Sequence, residues 1–439
     1  MIDVSATKRR ILQRLVARGG PAVLDLSLLD SVPRRLLRPL RREGLDPIAR
    51  QGPGAGDPVR RLAHMFGMNI WLVTGHSEGK AVLADRSRYS NDVRPYVGAS
   101  GGAVGGLGFT DPPEHSRLRG LLTPEFTMRR IQRLAPRIEQ IVDAQLDLMA
   151  AKGPDADIVE DFAFPIPFLV ICELLGLPAE DRARFQALSH ARFDVSAGGT
   201  SAFGAISASR DFLLDATRRQ RKDPGDGLLG RIIVEAGDEV SDEEIAGLAD
   251  GVFTGGYETT ASMLALGALV LLRDRRHFEL VRDDASAIDR VVEEMLRYLS
   301  VVQIAFPRFA LEDHDLFGKK VRKGDVVIVA LARAGRDTRV GPDLHTFEPD
   351  RPPPPHLAFG HGFHRCVGAE LARLELRLAF PRLVQRFPEM SLAVHPSQLR
   401  FRDQSIVYAV DSLPVHLGPA ASRPNTAGSR PRDCADRSS

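Results

Sequence analysis

Cysteine is scarce in this 439-residue chain, which has only Cys172, Cys366 and Cys434. Three thiols are too few for a disulfide framework and fit a reducing compartment, so a cytoplasmic location is expected. No Cys-x-x-Cys spacing occurs, which removes the usual structural zinc arrangement and leaves no cluster for an iron–sulfur centre. Charge of one sign is not in excess either. The net charge of +2 gives no general electrostatic case for nucleic acid or an anionic surface. Long apolar runs are also missing, and no stretch reaches the ~18–20 apolar residues that span a bilayer. The longest candidate, Ala261 to Leu272, lies between Glu258 and the Arg273-Asp274-Arg275-Arg276 run. It reads as a central buried helix, so no transmembrane segment is expected. There is no internal repeat.

What is present describes a soluble globular protein: 43% hydrophobic and 26% charged residues, with length enough for a large core. Residues 1–45 form a basic extension carrying Lys8, Arg9, Arg10, Arg14, Arg18, Arg34, Arg35, Arg38, Arg41 and Arg42. It has no compact apolar stretch or small-residue cleavage site of the secretory kind, and it reads as a solvated helical element. Residues 46–418 form one folded domain, and residues 419–439 read as a disordered polar tail. Pro58 to Val73 surrounds the only tryptophan, Trp71, and predicts a small sheet with a Gly-containing turn. Residues 92–110 are dense in glycine and predict a long loop. Asp111 to about Ser300 is mostly helical, with starts at Asp111-Pro112-Pro113-Glu114 and at Ser241 to Glu244, a capping box. Short strands return between Phe306 and Val329, with turns at Gly318 and Lys323-Gly324. The fold class is mainly α with small β-sheets at the periphery.

The chemistry concentrates in Phe359 to Gly368, FGHGFHRCVG. Its glycines allow sharp turns and close approach, and the following Leu371, Leu374 and Leu378 have helical spacing. Cys366 therefore stands where a loop enters a helix, among free N–H groups that favour a thiolate. A buried thiolate needs a partner, and a metal is the obvious one. A zinc site from His356, His361, His364 and Cys366 is the weaker alternative, because structural zinc ligands usually come as separated pairs. A glycine-rich turn with an incidental cysteine is the bland one.

This loop resembles the haem-binding loop of the cytochrome P450 monooxygenases, whose pattern Phe-x-x-Gly-x-His/Arg-x-Cys-x-Gly is filled by Phe359, Gly362, His364, Cys366 and Gly368. The resemblance extends from about Pro58 to Val415 and is closest to soluble bacterial members. It implies a helix-rich triangular prism enclosing haem b, with Cys366 as the iron ligand and Phe359, His364 and Gly368 in the cofactor loop. It also implies that His115, Arg119, Arg308 and His364 hold the haem propionates. Burial of two carboxylates would demand such cations. His115 and Arg119, four apart, share a helix face. Arg365 replaces a common apolar residue and is expected at a propionate or facing a redox partner.

A second stretch, Thr254 to Thr260 (TGGYETT), puts two glycines where a helix pays about 1 kcal/mol for each. A bend or a close approach is expected there. The alternative is a kink with a threonine bonded back to the preceding turn. The resemblance implies that Glu258 and Thr259 are catalytic and manage protons. Glu294 and Arg297, three apart on an apolar helix, predict a buried pair, and by resemblance they brace the cysteine loop with Arg351 from TFEPDR.

The function implied is insertion of one oxygen atom of O2 into a lipophilic small molecule, by hydroxylation or epoxidation. Electrons would come from NAD(P)H through a separate ferredoxin and ferredoxin reductase. A peroxide-driven oxygenase or a non-catalytic haem sensor are the alternatives. The substrate surfaces expected are 92–110, 185–210, Gly251 to Gly255, Val301 to Phe306 and Ser405 to Val407, with Phe185, Phe193, Phe203, Ile304, Phe306 and Ile406 making them apolar. About half of these aromatic and aliphatic side chains are expected in the core instead.

Overall fold

The computed structural model describes residues 42–47, 56–65, 67–92, 94–97, 106–193, 199–402, 405 and 407–421. Most of the basic extension, the middle of the glycine-rich loop, Ile406, Cys434 and nearly all of the tail lie outside the described residues, as do the side chains of Phe193 and Phe203.

Helices dominate, at about 57%: α1 (His76–Ala84), α2 (Glu114–Leu122), α3 (Met128–Lys152), α4 (Pro165–Leu175), α5 (Ala179–Phe193), α6 (Gly199–Lys222), α7 (Leu228–Ala236), α8 (Asp242–Arg273), α9 (Arg275–Asp283), α10 (Ile288–Leu299) and α11 (Ala369–Arg386). The strands are short: β1 (Arg42–Glu43), β2 (Asp46–Pro47), β3 (Val59–Met65), β4 (Met68–Val73), β5 (Tyr89–Ser90), β6 (Asp155–Asp157), β7 (Arg308–Ala310), β8 (His314–Leu316), β9 (Lys319–Val321), β10 (Val326–Val329), β11 (Ser391–Leu392) and β12 (Pro414–His416). The largest sheet has the order β3-β4-β10-β7-β5. Its β10 runs parallel to β4, with Val326 opposite Ile70, and antiparallel to β7. The hairpin around Trp71 and the turns at Gly318 and Gly324 are where the sequence places them.

The scaffold is organised around α8. Ser241 accepts from the Glu244 N–H at 3.2 Å while Glu244 accepts from the Ser241 N–H at 3.1 Å, the reciprocal cap expected. Every residue from Thr260 to Leu271 is buried, and α8 as a whole packs against α4, α6, α10 and α11. At Gly267 a Cβ would collide with the Phe380 ring of α11, so the two helices cross closely there. By length and composition α8 could cross a membrane, but 72% of its most apolar window is buried inside the protein. Fully buried Phe162, Phe168, Phe253, Phe380 and Phe387 fill the surrounding core, each contributing about 1.5–3 kcal/mol.

Two expectations need correction. The boundary at residues 45/46 cuts through a hairpin: β1 pairs with β2, Leu45 is 3% exposed in the main core, and Arg336 donates to its carbonyl. Among its described residues the glycine-rich stretch is not all loop, with helical turns at Arg94–Val97 and Gly106–Phe109.

Candidate functional site

The Cys366 loop is fixed by its own backbone. The Cys366 N–H donates to the Phe359 carbonyl at 2.9 Å, Arg365 N–H to Gly362 O at 3.0 Å, and Gly360 N–H to Leu357 O at 2.8 Å. Gly362 has φ 73°, and a Cβ there would lie 2.5 Å from the Leu83 carbonyl at the end of α1. Its close approach is to that backbone, a packing requirement. Gly368 precedes the first residue of α11, Ala369.

Burial pushes the Cys366 thiol up, while the Gly368 N–H and then Arg119, Arg365 and Arg373 favour the thiolate. Yet the residue is exposed. A side chain can be both deep and open only where it lines an interior space. Phe359 is half-buried, with the Arg373 guanidinium 4.7 Å from its ring centre.

Around this thiol the fold gathers basic groups from three elements. His115 and Arg119 come from α2, Arg308 from β7, and His364 from the loop. The His115 and His364 rings are 4.3 Å apart between centres, and both Nε2 atoms are buried with no hydrogen-bond partner. Arg308 is 3% exposed and donates to the Phe306 carbonyl at 3.0 Å. Burial lowers its pKa to about 10, opposed by Asp111. Burial, then the neighbouring His115, Arg308 and Arg119, pulls His364 down to about 3. Arg119 donates to the Arg365 carbonyl at 2.7 Å. The buried Arg308, the half-buried Arg119 and two orphaned ring nitrogens converging beside a thiol call for an anion, and a group with two carboxylates fits them. Arg365 joins this cluster through its carbonyl and its charge. Its guanidinium turns outward to Glu370, 3.8 Å away.

The predicted brace is present. Glu294 and Arg297 are 5% and 0% exposed and pair through two 2.7 Å contacts. Arg297 also donates to the carbonyls of Gly335, Leu344 and Thr346. Arg351 approaches Glu294 at 3.5 Å, and the Glu348 N–H donates to the same carboxylate.

Along Thr254 to Thr260 the glycines do not interrupt α8. Gly255 is exposed, with nothing within 4 Å of a Cβ placed there, whereas one at Gly256 would sit 3.1 Å from Ile171 Cδ1. The Thr259 hydroxyl donates back to the Gly255 carbonyl at 2.6 Å, the arrangement named as the alternative. Glu258 has its pKa raised by burial and opposed by Arg402, whose Nη1 lies 3.4 Å from Glu258 Oε1. No hydrogen bond or ion pair joins Glu258 or Thr259 to the cysteine loop among the described residues. Arg402, held also by Asp411 at 2.8 Å, was not anticipated. At 144 residues from its partner it leaves no local signal. Among the expected pocket residues, Phe185 is instead fully buried and stacked on Phe212. Phe306 is 49% exposed and meets Phe109 edge-on.

A mainly helical scaffold that sets a cysteine loop beside buried Arg308 and the unpartnered His115 and His364 nitrogens fits a protein that holds an anionic cofactor. The chain belongs to the cytochrome P450 family. The family model described as Cytochrome P450 matches residues 210–398. The chain is 39% identical to cytochrome P450 165B3 of Amycolatopsis orientalis, over 86% of this chain and 98% of that protein. It is 38% identical to cytochrome P450 monooxygenase PikC of Streptomyces venezuelae, over 90% and 95%. Among solved structures, OxyB from teicoplanin biosynthesis, in complex with the X-domain, superposes with TM-score 0.79 at 40% identity, covering 86% of this chain and 98% of that one. The protein is accordingly a haem-binding P450 monooxygenase of bacterial type.

Proposed function

We propose that the protein hydroxylates or epoxidises a lipophilic small molecule, with Cys366 as the haem ligand and electrons delivered from NAD(P)H by a separate ferredoxin and reductase in the cytoplasm. In the net reaction R–H, O2, two electrons and two protons give R–OH and water. The observation that carries the site assignment is the exposed Cys366 thiol beside buried Arg308, half-buried Arg119 and the orphaned His115 and His364 nitrogens. Bound haem supplies the iron that activates dioxygen. The residues of the chain do the rest.

Arg119 and Arg308 would neutralise the two carboxylates of the haem, and the unpartnered His115 and His364 Nε2 atoms would hydrogen-bond them. Burial pushes the Cys366 thiol up, the Gly368 N–H and Arg119 oppose it, and a haem iron would supply the positive charge that completes its ionisation. Phe359 and Gly368 shape the loop on either side of it. On α8, the Thr259 hydroxyl donates a hydrogen bond to the Gly255 carbonyl, which leaves its lone pairs as acceptors for water. Burial raises the pKa of Glu258 and makes it the better proton carrier of the pair, and Arg402, which opposes that shift, holds it in place. Exposed Phe306, with Ile304, gives the substrate an apolar surface.

Several relatives are named for antibiotic biosynthesis, among them OxyC, implicated in an oxidative C–C coupling during vancomycin biosynthesis. They make a natural-product scaffold the first substrate class to screen by substrate-induced spin shift. The reading is tested by the reduced, carbon monoxide-bound spectrum. A thiolate-type red-shifted Soret band is expected for the native protein and none for Cys366→Ala, which also loses monooxygenase turnover. Haem and activity retained in Cys366→Ala would overturn it.

A further inference from the structure

Glu293 stands next to the brace residue Glu294 but faces a different partner set. Its carboxylate takes Arg373 of α11 side-on, Oε1 to Nε at 2.5 Å and Oε2 to Nη2 at 3.0 Å. Oε2 also meets His356 Nε2 at 3.4 Å. The Ala358 N–H donates to His356 Nδ1 at 3.2 Å, which places the ring proton on Nε2, toward Glu293. The guanidinium of Arg373 lies over Phe359, 4.7 Å from the ring centre, and the Phe359 carbonyl receives the Cys366 N–H. Arg373 completes its bonds with Glu370 at 2.9 Å, and Glu370 in turn faces Arg365. The side chains of Arg373 and His356 are each only 12% exposed, and that of Glu293 29%. A single carboxylate on α10 therefore holds the chain entering the loop, through His356, and the cation lying on its aromatic ring.

We propose that Glu293 is the hub of a second brace, separate from Glu294–Arg297–Arg351, that positions Phe359 and Arg373 against the Cys366 sulfur and whose charge balance sets the reduction potential of the haem iron. The inference rests on Cys366 being the iron ligand. Arg373 is close enough to the sulfur to favour its thiolate form. A cation there draws electron density from the sulfur and stabilises the added electron of the ferrous state. The carboxylates of Glu293 and Glu370 offset it. Glu293 and Arg373 act through Phe359 and the sulfur, so both are positioning residues.

The two charges predict opposite shifts. Glu293→Gln keeps the shape and leaves Arg373 less compensated, so the ferric/ferrous midpoint potential rises. Arg373→Met leaves Glu293 and Glu370 in excess, so it falls. Arg373→Lys, which keeps the charge, stays nearest the native value. A brace that merely stiffened the loop would admit water to the sulfur in either variant and move both potentials the same way. Redox titration of the haem-loaded variants distinguishes the cases. Shifts of the same sign, or an unchanged potential in Glu293→Gln, overturn the proposal. If Arg373→Met does not take up haem, the sign of the Glu293→Gln shift decides alone. The ferrous carbon monoxide spectrum of the native protein separates the two levels. Loss of the thiolate-type band there refutes Cys366 ligation itself, whereas a normal band with same-sign shifts refutes only the brace.

Discussion

Around Cys366 the polar groups of the supporting structure are tied to one another: Arg297 makes bonds to Glu294 and to three carbonyls, and Gly362 is wedged against α1. Along Thr254 to Thr260 the opposite holds. Thr254 and Gly255 are exposed in the middle of the central helix, Thr259 bonds only its own helix, and Glu258 has one long contact to Arg402. A metal ligand gains from immobility, because its bond length and angle set the electronics of the metal. A proton carrier gains from loosely held groups that can exchange partners and meet water. The contrast predicts that substitutions on the first side unfold the protein or release its cofactor, while those on the second leave the fold and change the chemistry.

The largest effect should come from Arg297→Met. It strands the Glu294 carboxylate at 5% exposure with three carbonyls left unserved, a loss of about 3–5 kcal/mol. Urea denaturation and haem retention measure it. A loss below about 1 kcal/mol would mean that the brace is not a buried ion pair. Gly362→Ala comes next. The methyl meets the Leu83 carbonyl, and the backbone has φ 73°, so strain of about 1–3 kcal/mol is expected. It should appear as a lowered Tm and faster haem loss.

Thr259→Ala tests the open side. The back-bonded hydroxyl stabilises α8 little, and alanine is the better helix former, so stability should stay within about 0.5 kcal/mol of native. Product formed per NAD(P)H consumed should drop roughly 100-fold, the lower end of the scale of a lost proton-transfer group. The balance of the reductant would go to hydrogen peroxide or water. Unchanged coupling would remove Thr259 from the chemistry and leave it a helix residue.

The two regions were also unequally readable. Loop and brace could be found because their residues sit in short, fixed spacings: ten consecutive residues for the loop, i and i+3 for Glu294 and Arg297, and the turns at Gly318 and Gly324. The α8 cap was legible for the same reason. What stayed hidden depends on tertiary approach. Arg402 reaches Glu258 from 144 residues away, and Glu293 finds Arg373 at a separation of 80. The glycines show the limit most clearly. Two in a helix signalled a bend or a close contact, but sequence could not say that Gly256 serves Ile171 while Gly255 faces open space.

That distinction yields the smallest effect, and the one that most directly separates the regions. In Gly255→Ala the new methyl meets nothing within 4 Å, and the helix exchanges a flexible residue for its best former. In haem-free protein α8 should therefore gain about 0.5–1 kcal/mol in urea denaturation. If the open side of Gly255 belongs to the cofactor and substrate space, the methyl takes volume from that space. The gain should then shrink or reverse in the haem-loaded protein, and substrate-induced spin shifts should need more ligand. An equal gain in both forms would place Gly255 outside that space. A loss in the haem-free form would show that the segment is already filled, and the contrast with the cysteine loop would fail.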